Sequence, residues 1–163
     1  MANSFLYRMP SGIAGNITRI DETNVETAYM GATAVGAFGA PVKIVNGLIL
    51  PFAGGETATS FYGVLTRVAP SQGGSLAQSF TDNVPNPLSL QGVAVRGYVN
   101  VVCTIGTPVK EGAVYVRVVA ASGKAIGDFE ATADGVNNVL LTNAVWAAGG
   151  KDANNNAEIR IAR

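Results

Sequence analysis

The sequence predicts an all-β fold, a sandwich or barrel. Three observations carry that reading. Short β-prone runs recur with turn residues between them, and 20 Gly and 7 Pro in 163 residues keep those runs short. No segment places apolar residues at the 3.6-residue spacing of an amphipathic helix. Several runs alternate apolar and polar residues with the period of two of half-buried strands.

The elements follow in order. Residues 1–40 lack a strand rhythm yet carry Met9, Ile13, Ile17, Ile20, Tyr29, Met30 and Phe38. They read as an extended N-terminal arm before a β-domain at 41–163. VKIVNGLILP (42–51) is a hairpin, because Asn46-Gly47 supplies the two positive φ angles of a type I′ turn. FYGVLTRV (61–68) is a strand. GVAVRGYVNVVCTI (92–105) is a long one, with Gly97 marking a bulge or bend. In GAVYVRVVA (112–120), Val114, Val116 and Val118 alternate with Tyr115, Arg117 and Val119. Ser122-Gly123 turns the chain into KAIGDFEAT (124–132). NNVLLT (137–142), AVWAA (144–148) and AEIRIAR (157–163) complete the set, with Ile159 and Ile161 on one face of the last. APSQGGSLAQSFTDNVPNPLSLQ (69–91) has three Pro and one charge, so it reads as a long loop. Its Leu76, Phe80, Val84, Leu88 and Leu90 argue that it orders by packing, on the domain or on a neighbour.

Composition limits the function. The chain is 48% hydrophobic and 13% charged, with eleven basic and eleven acidic residues. A typical soluble domain is about 25% charged. A balanced chain has no net field to draw it to nucleic acid or anionic lipid, so neither is an expected partner. Low charge leaves uncharged surface that is best explained by burial against other subunits. No run approaches the length of a membrane-spanning helix, and no leader pattern is visible at the start. The basic residues are dispersed and read as sheet surface.

Catalytic constellations are weak. The chain has no His, which removes the commonest acid–base catalyst and transition-metal ligand. Its single Cys103 lies in an apolar run and reads as a buried strand residue. Asp128 and Glu130 share a strand face. Phe129 between them points to the core, which places both acids in solvent. Asp21, Glu22 and Glu26 form a second acidic group with no metal-binding spacing. PSGIAGN and FAGGETAT lack the phosphate-loop spacing, and KDANNNAE lacks the ordered acids of a calcium loop. Ser122 and Lys124 flank a hairpin turn rather than a catalytic cleft. No catalytic residue, metal or cofactor is expected. The direct reading is a non-enzymatic structural or assembly subunit.

Several segments in order resemble one family. MPSGIAGNITRI (9–20), PVKIVNGLILPFAGGETATSFYGVLTR (41–67), VRGYVNVV (95–102), GTPVKEGAVYVRV (106–118) and IGDFEATADGVNNVLLTNAVWAAGGKDANNNAEIRI (126–161) are together similar to the capsid cement, or head decoration, proteins of tailed bacteriophages. The resemblance implies a jelly-roll-like sandwich or barrel, with a β-tulip as the alternative. It implies a protein on the outside of an icosahedral capsid, made in the host cytoplasm, that clamps neighbouring capsomers of the expanded shell. Its partners would be the major capsid protein and other copies of itself, as a dimer or trimer. On that reading Met9, Pro10, Ile13, Ile17, Arg19 and Ile20 of the arm, and Leu76, Phe80, Val84 and Leu88 of the long loop, contact the capsid or a neighbour. Two other classes stay open. One is a phage tail-tube or fibre subunit. The other is a carbohydrate-binding module using Trp146, Tyr62, Tyr98 or Tyr115 to stack on sugars.

Overall fold

Two closed five-stranded barrels share one strand in this computed structural model, which describes residues 12–67 and 85–162. The strands are β1 (Asn24–Met30), β2 (Pro41–Val45), β3 (Leu48–Pro51), β4 (Gly63–Leu65), β5 (Leu90–Ile105), β6 (Ala113–Arg117), β7 (Phe129–Glu130), β8 (Asn138–Trp146) and β9 (Asn156–Ile161). The first barrel runs β1-β3-β2-β4-β5 and closes by β1–β5 pairing. The second runs β5-β7-β6-β8-β9 and closes by β5–β9 pairing. Closure pairs the strand edges that would otherwise invite aggregation. The predicted all-β barrel is present. Its only other regular elements among the described residues are the 3-10 turns Ile20–Glu22 and Ala58–Ser60.

The shared strand β5 explains the two-barrel shape. It is 16 residues long. Residues Leu90 to Arg96 pair with β1, and Gly97 to Val102 pair with β9. Gly97, at φ +105, sits at the changeover, where the sequence predicts a bend. A Cβ there would lie 2.5 Å from the Glu22 carbonyl oxygen and would also overlap Thr23. Only glycine supplies both the left-handed backbone and the room.

Each barrel has its own core. Met30, Val35, Phe38, Val42, Ile49, Leu65, Val93 and Val95 fill the first. The second is built from Val99, Val101, Cys103, Val114, Val116, Phe129, Leu141, Trp146, Ile159 and Ile161, among others. Ala94 and Val64, from first-barrel strands, point the other way and pack into the second core. The barrels therefore lean on one another through the outer side of β4 and β5.

Local chemistry fixes most of the predicted elements. Asn46 (φ 51) and Gly47 (φ 79) form the predicted hairpin turn between β2 and β3. Ala121 and Lys124 bridge across the Ser122-Gly123 turn. The two runs at 137–148 merge into one strand, β8, which pairs with β6 and then with β9. Of the run 61–68, the described residues 61–67 are strand at Gly63–Leu65, and 124–132 is strand at Phe129–Glu130. Cys103 is fully buried, and burial pushes its thiol pKa up.

Two charged positions correct the sequence reading. Glu130 was expected on a solvated face with Asp128, and Arg117 on the sheet surface. Both are fully buried. β7 lies between β5 and β6, and the 131–138 turn covers its outer side, so Phe129 and Glu130 are buried on opposite faces.

Candidate interaction surface

The N-terminal residues reach the body through β5. Ile17 bridges Val99 in antiparallel fashion. The Gly15 amide donates to the Asn100 carbonyl at 2.8 Å, and the Asn100 amide donates to the Asn16 carbonyl at 3.0 Å. The Thr18 amide donates to the Tyr98 carbonyl at 3.3 Å. Residues 15–18 thus extend the sheet beside β5, adding a strand-like edge to their own chain. Of the stretch expected as an arm, residues 12–40 pack on the chain itself, with β1 a full member of the first barrel.

This seat presents two of the predicted contact residues outward. Ile13 is 54% exposed and Ile20 80% exposed, whereas Ile17 is half-buried against β5. Arg19 stacks 3.8 Å over the Tyr98 ring and pairs with Glu158 at 3.5 Å. The Thr18 hydroxyl also donates to Glu158. Thr23 accepts the Tyr98 amide at 3.0 Å, pinning the end of the Ile20–Glu22 turn. These contacts frame an open groove of about 630 Å³ at the waist between the barrels, lined by Asp21, Glu22, Arg96, Tyr98 and Arg160. The hydrogen bond with Tyr98, and then Glu111 at 2.8 Å, push the Arg160 pKa up.

Of the predicted loop contacts, Leu88 is 60% exposed in the turn before β5. Its φ of +55 is a left-handed conformation rare for leucine. Met9, Pro10, Leu76, Phe80 and Val84 lie outside the described residues.

Sequence reasoning missed an apolar outer wall on the first barrel. Val45, Leu48, Tyr29 and Leu90 are cross-strand neighbours on β2, β3, β1 and β5, and all four are exposed. The signal was present in the alternation of VKIV, LILP and NVETAYM, but the third of these was assigned to an arm.

The second barrel carries a buried ionic network. Arg117 donates to Glu130 through Nε at 2.5 Å and Nη2 at 3.0 Å, and to Asp134 at 2.6 Å. Asn138 donates to Glu130 at 2.6 Å and to the Thr132 carbonyl. Lys124 reaches Asp134 from outside at 3.2 Å. Arg117, then Lys124 and Asn137, hold the Asp134 pKa down at about 2. In the first barrel, burial pushes the Glu56 pKa up. Lys43, at 2.6 Å, and the Ala53 and Gly54 amides outweigh it and hold the carboxyl below its usual value. These groups organise turns. Among the described residues no group of three or more His, Cys, Asp or Glu is placed to hold a metal ion. No helix among them is long and apolar enough to cross a membrane.

Comparison with known proteins adds family and fold. A family model described as structural cement protein (E217 gp24/Pam3 gp6) matches residues 1–162. A search of curated proteins finds no match. Among solved structures, a chain from "The capsid of Myoviridae Phage XM1" superposes with a TM-score of 0.72 at 15% identity. The match covers 100% of this chain and 98% of that one. At that identity the likeness concerns the fold.

Proposed function

The chain belongs to the structural cement protein family of phages, and from that premise we propose that it binds the outer surface of an icosahedral phage capsid and clamps neighbouring capsomers, stabilising the expanded shell. The observation that carries the reading is the family match along nearly the whole chain. The role is non-enzymatic, and the protein resides on the exterior of the virion after synthesis in the host cytoplasm.

The mechanism is multivalent contact. Ile13 and Ile20, projecting from the seated N-terminal segment, and Leu88, projecting from the turn before β5, are apolar anchors. The sequence adds Met9, Pro10, Ile17 and Arg19 as candidate contacts of the N-terminal stretch, and Leu76, Phe80 and Val84 as candidate contacts of the 69–91 stretch. The partners are the major capsid protein and other copies of the chain. A small oligomer touching several capsomers gains affinity from effective concentration even where each contact is weak. Preferential binding to the expanded shell stabilises that state by linkage. With no net charge on the chain, the apolar contacts carry the affinity, and salt changes it little.

The test is co-sedimentation with matched shells lacking this protein, expanded and unexpanded, with bound copies counted. Saturable binding to expanded shells is the expected result. Absence of binding to either shell overturns the proposal. The sugar-binding alternative gains no support from Trp146, which is fully buried in the second core and presents no ring face.

A further inference from the structure

We propose, resting on the capsid reading above, that Leu88 is a strained anchor. Its backbone is held in an unfavourable conformation so that its side chain enters an uncharged apolar pocket on the major capsid protein.

The strain follows from the turn before β5. Pro87 and Leu88 are its two central residues. The pyrrolidine ring fixes φ at Pro87, and Leu88 follows at φ +55. Proline and then a positive φ is the pattern of a type II turn, whose third position normally takes Gly or Asn. At the β2–β3 turn the same demand is met by Asn46 and Gly47. A leucine in this conformation crowds its Cβ against the following carbonyl. Neighbouring polar groups brace the turn all the same. Ser89 Oγ and Gln91 Nε2 both donate to the Asn86 carbonyl, at 2.7 and 3.3 Å, and Gln91 Nε2 donates to Ser89 Oγ at 2.8 Å. The Ser89 carbonyl accepts the Met30 amide at 2.9 Å, which ties the turn to β1. Strained residues persist where their surroundings over-determine them, and they cluster at sites of function.

Burial of the side chain would offset the strain, but the fold does not bury it. Leu88 is 60% exposed, and Leu90, two residues on, 68%. Burial against a partner supplies the missing term, and a turn already ordered loses little freedom on docking. The chemistry of the receiver is set by charge. From Asn83 to Val95 the chain has no ionisable side chain. A charged surface pressed on this turn would lose its hydration and gain no counter-charge. A pocket that takes one leucine, with Leu90 at its rim, meets no such penalty. Membership of the structural cement family makes the major capsid protein the body that carries that pocket.

The experiment compares the full chain with Leu88→Gly, Leu88→Asn and, at an exposed apolar residue of another turn, Val136→Asn. Each protein is melted alone and then titrated onto expanded shells lacking it. The two Leu88 variants are expected to melt at or above the wild-type temperature, because Gly and Asn tolerate the left-handed backbone. Their shell affinity is expected to fall about tenfold or more, the loss typical of an anchor residue. Val136→Asn binds as wild type does. A photo-crosslinking residue at position 88 captures the major capsid protein. Leu88 variants that bind at wild-type strength overturn the anchor and leave the capsid reading standing. Variants that melt well below wild type overturn the strain, and a crosslink to a second copy of the chain overturns the occupant. A wild type that binds no shell refutes the capsid reading and the anchor with it.

Discussion

Arg117 shows what a single residue can cost and fix. A guanidinium taken fully out of water is expensive, and here two carboxylates and the Val119 carbonyl compensate it. Removing Glu130 strips the buried guanidinium of its bidentate partner and leaves it only Asp134 and the Val119 carbonyl. Glu130→Ala is therefore expected to destabilise the chain by about 3–5 kcal/mol, read as a large shift in the urea midpoint. Asp134 gives a pH signature. Its folded pKa of about 2 lies below the ordinary 3.8, so its contribution is present above pH 4 and fades as pH falls toward 2. The stability gap between wild type and Asp134→Asn should be full at pH 6 and close as pH 2 is approached. A gap constant across that range contradicts the assignment. Asn100 is the opposite case, a fully buried amide whose two side-chain polar atoms have no hydrogen-bond partner among the described residues. Asn100→Val should be neutral or stabilising by about 1 kcal/mol in thermal melts. A clear loss would reveal a partner for the amide.

At the scale of elements, Gly97 decides the connection between barrels. Gly97→Val forces a branched residue into a left-handed backbone and a side chain into Glu22 and Thr23. The expected loss is about 2 kcal/mol or more. It should be accompanied by faster hydrogen exchange in residues 15–23, which lie against that point. The sequence made this glycine, the 42–51 hairpin and the alternation of the last strand legible, because each depends on local turn chemistry or a period of two. The burial of Glu130 was not legible. A two-residue strand covered on both faces shows no alternation, and its cover comes from a turn that the sequence alone does not place. The role of β1 was hidden for a related reason. NVETAYM carries its barrel-facing Met30 and its exposed Tyr29 side by side, and only pairing with β3 and β5 sorts them. The candidate contacts Ile13 and Ile20 were recognisable as apolar residues without a local use. The outer row was not, since it exists only once four strands are in register.

On the scale of the whole molecule, one strand belongs to both barrels. Neither ring closes without β5, and the two cores touch through Val64 and Ala94. Unfolding should therefore be a single transition. Trp146 fluorescence, which reports the second core, and hydrogen exchange at Met30 and Leu65, which reports the first, should give coincident midpoints. Such cooperativity suits the proposed clamping role, since a load on one barrel would be shared by the other. The central claim is that bound chain holds the expanded shell together. Its most direct measurement is the temperature at which expanded shells open, with and without saturating protein. The account predicts a higher opening temperature that rises with occupancy. Saturable binding that leaves the opening temperature unchanged would contradict it.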